Sequence, residues 1–304
     1  MKIAITGSTG FIGSALVEWF SKNSSFEIVR LVRERNYPDL RYKTIYWNHE
    51  KHEIDSASLE NFDLVIHLAG EGIAKGRWTP KQKEMIRKSR VEGTTFLGAT
   101  LSKLNRPPKH FFSASAIGFY GNRPTEEKLD ENSPSGTGFL ASVVREWESA
   151  ADVIRESGSR VVQMRFGLVL GMRGGALSRM LPIFRLGLGG KVGTGKQIVS
   201  WIALDEIPRI IHHLLSRPDI SGPVNFTTPN PVSNDIFAKT LGKILSRPTL
   251  LPFPAPVAKF LLGEMAEELL LSGAYVLPKK LEESGYAFFL PTLEKALFHI
   301  LSGI

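Results

Sequence analysis

The 304-residue chain contains no cysteine. That excludes disulfides, thiolate metal sites and cysteine nucleophiles, and it removes any signal about redox compartment. Long apolar runs are also missing. The nearest, Leu250 to Leu262, is interrupted by three prolines and Lys259, so no segment reads as a transmembrane helix. The opening residues, MKIAITGSTG, lack the basic and apolar regions of a secretory signal. These absences predict a cytoplasmic protein without a membrane partner. Acidic side chains are outnumbered, 30 against 38 basic ones, for a net charge of +8. The basic residues are spread out, and the densest stretch, 75–90, is broken by Glu84, Trp78 and Pro80. Diffuse positive charge favours a small phosphate-bearing ligand over nucleic acid. His212 and His213 face opposite sides of a helix with no third ligand at metal spacing, so no metal site is expected. A GxSxG elbow and a Walker lysine are absent too.

What is present is a globular composition, 42% hydrophobic and 22% charged, able to bury a sizeable core. Residues 2–6, 28–32, 43–47, 63–68, 109–115 and 160–166 read as strands rich in Val, Ile and Phe. Residues 11–22, 80–104 and 138–157 carry helical spacing between them. This alternation predicts an α/β fold, a Rossmann-type doubly wound parallel sheet. Strand DLVIHLAG is continuously apolar, as a strand covered on both faces should be. Beyond Gly171 glycines crowd the chain and loops are expected to dominate. A strand at 224–228 follows, then helices at 234–245, 257–271 and 291–301. The reading is a dinucleotide-binding domain over 1–170, partly interleaved with 196–230, and a smaller α+β lobe over 171–304.

The strand Ile3-Ala4-Ile5-Thr6 leads into Gly7-Ser8-Thr9-Gly10-Phe11-Ile12-Gly13 and then a helix. The first glycine of this GxxGxxG permits the tight turn, the second lets backbone approach a pyrophosphate, and the third lets helix pack on strand. Helix amides and dipole then face the phosphates, so Gly7, Thr9, Gly10, Phe11, Ile12 and Gly13 are candidate cofactor residues. The second strand ends Val32-Arg33-Glu34-Arg35. A carboxylate there would bond a ribose 2′-hydroxyl, whereas Arg33 suits the 2′-phosphate of NADP. Glu34 becomes the end residue if the strand slips by one position; NADP is the favoured cofactor.

GSTGFIG, DLVIHLAG, RVEGT, SASAIGFYG and RFGLVLG occur in this order and together resemble the extended short-chain dehydrogenase/reductase superfamily. HLAGEGIAKGRW, MLPIFRLGLGGKVGTGKQIVSWIALDEI and PKKLEESGYAF are similar to its epimerase-like subgroup with a C-terminal domain of unknown function. The resemblance runs over nearly the whole chain. It implies that Leu68, Ala69 and Gly70 pass adenine and ribose, and that Arg90, with Glu84 earlier on the same helix, lies near the cofactor. Leu68 and Ala69 serve equally as core, and Arg90 and Glu84 as a solvated helix face. A homodimer through helices 80–104 and 138–157 is a superfamily expectation.

That superfamily transfers hydride with a tyrosine, a lysine four residues later and a serine or threonine. Here the helix reads Gly138-Phe139-Leu140-Ala141-Ser142-Val143, with Phe139 and Val143 where the tyrosine and lysine belong. Neither exchanges a proton. Tyr275 and Lys279 have the spacing, but Pro278 between them breaks the helix it presumes. Ser115 matches the family serine if one residue is inserted before Tyr120, leaving Ser115 and Tyr120 as candidate catalytic residues; Tyr120 serves equally as packing. Arg165, closing the sixth strand, is a candidate for substrate or cofactor contact, and Lys196 and Trp201 for the substrate side. Two function classes follow: an NADP-dependent oxidoreductase or nucleotide-sugar epimerase-like enzyme on an unknown small substrate, or a sensor or scaffold that keeps the binding site without the chemistry.

Overall fold

The computed structural model describes residues 1–302 except 36, 40 and 75; Lys75, which heads the basic stretch, lies outside the described residues. Among them, eight strands form the main sheet: β1 (Lys2–Thr6), β2 (Glu27–Val32), β3 (Lys43–Asn48), β4 (Glu53–Ile54), β5 (Leu64–His67), β6 (His110–Ala116), β7 (Arg160–Phe166) and β8 (Gly222–Phe226). Their order is β8-β7-β6-β5-β1-β2-β3-β4, parallel except for the β3–β4 edge. The winding reverses between β1 and β5, which sets the crevice at their carboxyl ends.

Alternation along each strand feeds two cores. Ile3, Ile5, Ile66, Phe112 and Met164 pack with Leu16 and Phe20 of helix α1 (Phe11–Ser21) and with Ile207 and Ile210 of the helix Glu206–Leu215. Ala4, Val65, Phe111 and Val161 face the other way, onto Leu97 and Leu101 of α2 (Pro80–Ser102) and Ile154. Every residue of β5 is buried, as its unbroken apolarity requires. Helix α3 (Phe139–Ala150) flanks α2 and ends at Ala151, before a further turn at Asp152–Arg155.

The rest of the chain builds a lobe around Trp201, Phe237, Leu241, Leu293 and Leu297. Here the expectation of loops after Gly171 is corrected: Gly175–Arg185 is a helix despite Pro182, because Leu177, Leu181 and Phe184 bury one face. The expected helix 257–271 is split at Gly263, whose φ of +61° ends Ala255–Leu262. A short turn and the π-helix Glu267–Leu271 follow. The lobe touches the main domain through short ladders, Tyr275–Val276 on Lys128–Leu129 and Trp201–Ala203 on Leu168–Leu170.

Candidate cofactor cleft

The glycine loop joins β1 to α1 with no room for side chains. Gly7 has φ +61°, and a Cβ there would come within 2.8–2.9 Å of the Leu68–Ala69 backbone. At Gly13 a Cβ would sit 2.2 Å from the Gly7 carbonyl oxygen. Both spacings are below any real contact, so this cradle is built on glycine. Gly10 caps α1 without a side-chain hydrogen bond, which leaves the first-turn amides to an incoming anion. Thr9 and Gly10 are exposed at the lip. The Phe11 ring fills the space beside Gly171, Gly174 and Gly175, where added Cβ atoms would fall 2.7–2.9 Å from it. Phe11 and Ile12 also pack on the core.

Behind the loop stands a residue the sequence reading passed over. Arg30, in the middle of β2 and only 5% exposed, donates from Nε to Ser8 Oγ at 3.1 Å and from Nη2 to the Ser8 carbonyl at 3.3 Å. Its Nη1 reaches Asp39 at 2.9 Å and Nη2 reaches the Tyr37 hydroxyl at 3.0 Å. The signal was an arginine inside an otherwise apolar strand, EIVRLV, since such a charge is buried only when paired. At the strand end, Arg35 is held by Glu53 at 3.0 Å and lies 4.0 Å over the Tyr46 ring. Arg33 is exposed and, among the described residues, has no ion-pair partner.

A buried chain of hydrogen bonds fixes the strand ends. Thr6 Oγ1 accepts from the amides of Leu68 and Ala69 at 3.0 and 3.2 Å. Its proton is therefore the one shared with His67 Nδ1 at 2.8 Å. That assigns the other ring nitrogen as donor to Thr94 Oγ1, 3.1 Å away, which also accepts from Trp147 at 2.9 Å. Burial, with His49 nearby, lowers the His67 pKa to about 3; it is a neutral core histidine. Arg90 lies across Gly70, its Cζ 3.6 Å from where a Cβ would stand. It donates to the Glu71 carbonyl at 2.9 Å and sits 5.1 Å over the Trp147 ring. Burial lowers its pKa to about 10, with Glu71 opposing. Glu84 is not part of this cluster: it is exposed and its ion pair is with Lys88 at 3.4 Å.

At the other end of the crevice Ser115 Oγ donates to Glu148 Oε1 at 2.6 Å. Arg165 grips the same carboxylate with two bonds, 2.7 and 2.8 Å, and donates to the Tyr120 hydroxyl at 2.9 Å. Its guanidinium lies 3.6 Å over the Phe119 ring.

These elements identify the chain when compared with known proteins. Residues 3–226 match the NAD dependent epimerase/dehydratase family, and 253–300 match a domain of unknown function. The chain belongs to the NAD-dependent epimerase/dehydratase family. An epimerase family protein of Mycobacterium bovis is 38% identical over 97% of this chain and 96% of its own length. The human epimerase family protein SDR39U1 is 35% identical over 99% of this chain and 100% of its own. The crystal structure of human SDR39U1 (isoform 2) with NADPH superposes with TM-score 0.90 at 31% identity, covering all of both chains.

Within this epimerase-like group several candidate residues take other places. Tyr120 is fully buried; its hydroxyl meets the Asp130 carbonyl at 2.9 Å, Asn225 Oδ1 at 2.8 Å and Arg165. Burial pushes its pKa up to about 12 against the pull of Arg165. Its one proton is held by these interior oxygens, an arrangement that suits the packing role which the sequence left open beside the catalytic one. Arg165 is 3% exposed, with three of its N–H groups engaged by Glu148 and Tyr120, an arrangement that braces β7. Trp201 is fully buried, donating to the Asn230 carbonyl at 3.2 Å; it is core, because it opens the strand Trp201–Ala203 and packs among the lobe's apolar residues. Lys196 remains exposed.

The position of the absent tyrosine and lysine is apolar, with Val143 buried and Phe139 half-buried. Phe139 meets Trp78 edge to face at 5.2 Å, and Val143 joins Trp78, Ile86 and Met265 in an apolar cluster covered by Leu262 and Leu269. Glu268 closes the N-terminus of α3, accepting from the amides of Phe139 and Leu140 at 2.8 and 3.0 Å. Lys83 pairs with Glu264 at 2.7 Å. No sequence signal marks Glu268, since its partners are backbone amides 128 and 129 residues away.

Proposed function

We propose that this chain binds NADP(H) and is an epimerase-like oxidoreductase for a small organic substrate. The observation that carries the reading is the glycine cradle, where a Cβ at Gly7 or Gly13 strikes backbone and one at Gly10 would come 3.2 Å from the Gly7 carbonyl oxygen. Thr9, Phe11 and Ile12 complete its lip, Leu68, Ala69 and Gly70 face it, and Arg90 backs Gly70. Arg33, exposed beside the engaged Arg35, is the cation free to meet a 2′-phosphate. When bound, NADP(H) supplies or accepts hydride at its nicotinamide ring. The protein's part is to orient that ring and move a proton. Ser115 is the group left for this, its hydroxyl polarised by the Glu148 carboxylate at 2.6 Å, with water in place of the tyrosine.

A second reading, a binding protein without hydride chemistry, is favoured by one observation: Phe139 and Val143 pack in an apolar cluster and carry no group that exchanges a proton. The same experiment separates the two. NADPH and NADH are titrated by fluorescence against the wild type and Arg33→Ala. Loss of about tenfold or more in NADPH affinity with NADH unchanged is expected for one charge-assisted phosphate contact; equal weakening of both refutes the role of Arg33. Transfer of deuterium from C4-labelled NADPH to a panel of carbonyl substrates, lost in Ser115→Ala, supports the enzyme. Tight binding without transfer supports the sensor.

A further inference from the structure

From residue 171 to 204, and again from 236 to 263, the chain has no Asp or Glu, while these stretches hold nine Lys and Arg. They meet on the surface of the C-terminal lobe. Arg247 Nε donates to the Arg185 carbonyl at 2.7 Å, Phe253 N to the Lys191 carbonyl at 2.8 Å, and the Leu251 carbonyl presses on Gly190. Along this seam large apolar side chains stand in solvent: Leu250 is 82% exposed, Phe260 79% and Leu186 73%, with Leu188, Leu251 and Leu261 about half exposed. Phe260 and Leu261 share the outer face of the helix Ala255–Leu262 with Val257. Lys259 pairs with Glu267 at 2.7 Å, but Arg185 and Arg247 have no carboxylate partner among the described residues.

Exposed apolar groups in such a cluster mark a contact surface. Its charge selects the partner. A second copy docking here would set Arg185 and Arg247 against a like-charged seam. Side chains four-fifths exposed are protruding tips rather than walls of a groove, and a groove is what a partner helix needs. The contrast with the superfamily dimer face is clear: across α2 and α3 the exposed contact is the Arg87–Glu146 ion pair.

We propose that this seam docks the protein on an anionic lipid bilayer. Leu250, Phe260 and Leu186 enter the boundary between headgroups and acyl chains, and Arg185 and Arg247 meet lipid phosphates. Among the described residues no helix is long and apolar enough to cross a membrane, so the contact lies in the plane of the interface. The expectation of no membrane partner rests on spanning segments and does not bear on surface attachment.

Co-sedimentation with phosphatidylcholine vesicles, with and without phosphatidylglycerol, tests this on the full chain. Binding is expected only with phosphatidylglycerol, and it weakens as salt rises. Leu250→Glu with Phe260→Glu lowers the partition coefficient more than tenfold, and Arg185→Gln or Arg247→Gln lowers it about fivefold each. An NADPH titration of each variant reports that the fold and the cradle are intact, independently of this surface. No pelleting with phosphatidylglycerol vesicles overturns the proposal, as does pelleting that these variants leave unchanged. A concentration-dependent dimer abolished by Leu250→Glu, without vesicle binding, overturns it in favour of self-association.

Discussion

Arg165 distinguishes a structural brace from a ligand contact, and Arg165→Met is the perturbation that separates them. The guanidinium makes three side-chain hydrogen bonds, two to Glu148 and one to Tyr120, at 2.7–2.9 Å. Glu148 is itself only 12% exposed at its side chain. Removing the arginine leaves a buried carboxylate whose remaining side-chain partner is the Ser115 hydroxyl. Breaking one side of such a pair costs about 3–5 kcal/mol. For a chain of this size that lowers the melting temperature by roughly 10 °C. The double variant Arg165→Met with Glu148→Leu removes both charges and is expected to regain most of the loss, because an apolar pair of similar volume is roughly neutral. Calorimetry of these two variants and of Glu148→Leu alone closes the cycle, and an NADPH titration well below each transition asks about binding separately. The expected result is lowered stability with NADPH affinity within about twofold of wild type. A folded Arg165→Met protein that melts normally but loses NADPH or substrate binding would refute the argument.

Gly7→Ala forces a Cβ to within 2.9 Å of the Leu68–Ala69 backbone at φ +61°. It should cost roughly 1–3 kcal/mol and abolish measurable NADPH binding, read by titration of the soluble fraction. Below about pH 6.5 the unfolded chain protonates the histidine that folded His67 keeps neutral down to about pH 3. The unfolded state then binds more protons, so stability falls with pH by up to about 1.4 kcal/mol per unit across that window. Urea melts at pH 7 and 5 should show the fall, and His67→Gln should flatten it. Phe139→Tyr with Val143→Lys restores the superfamily residues but places a charge beside Trp78, Ile86 and Met265. It should lower the melting temperature while leaving NADPH affinity intact; an unchanged melt would mean that the cluster is open to water.

The parts of the fold that were legible in the sequence are those set by local rules. The glycine cradle could be read because Gly10 and Gly13 crowd Gly7 and Ser8 only a few residues away, although the Leu68–Ala69 backbone that Gly7 must clear is distant in the chain. The strands could be read because β5 and its neighbours are rich in Val, Ile, Ala and Phe and are buried over most of their length. Phe139 and Val143 were visible as departures for the same reason, being four residues apart on one helix. What escaped depended on distant partners. Arg30 looked like an interruption in a strand until Ser8, Tyr37 and Asp39 were placed around it. Tyr120 and Arg165 looked accessible at strand ends, whereas Asn225 on β8 and Glu148 on α3 engage them in the interior. The helix Gly175–Arg185 was hidden by flanking glycines and Pro182, and only tertiary burial of Leu177, Leu181 and Phe184 holds it.

Strands β7 and β8 are hydrogen-bonded neighbours, yet the first half of the C-terminal lobe is strung between them. A chain stopped after Gly171 would keep the whole nucleotide cradle and still end in a bare row of β7 amides and carbonyls. Such an edge recruits another strand, so the truncated piece should aggregate rather than fold as a minimal binder. The two bodies therefore cannot be parted by one cut. A nick between β7 and β8 should instead leave two fragments held together by the sheet, and the pair should melt as one unit.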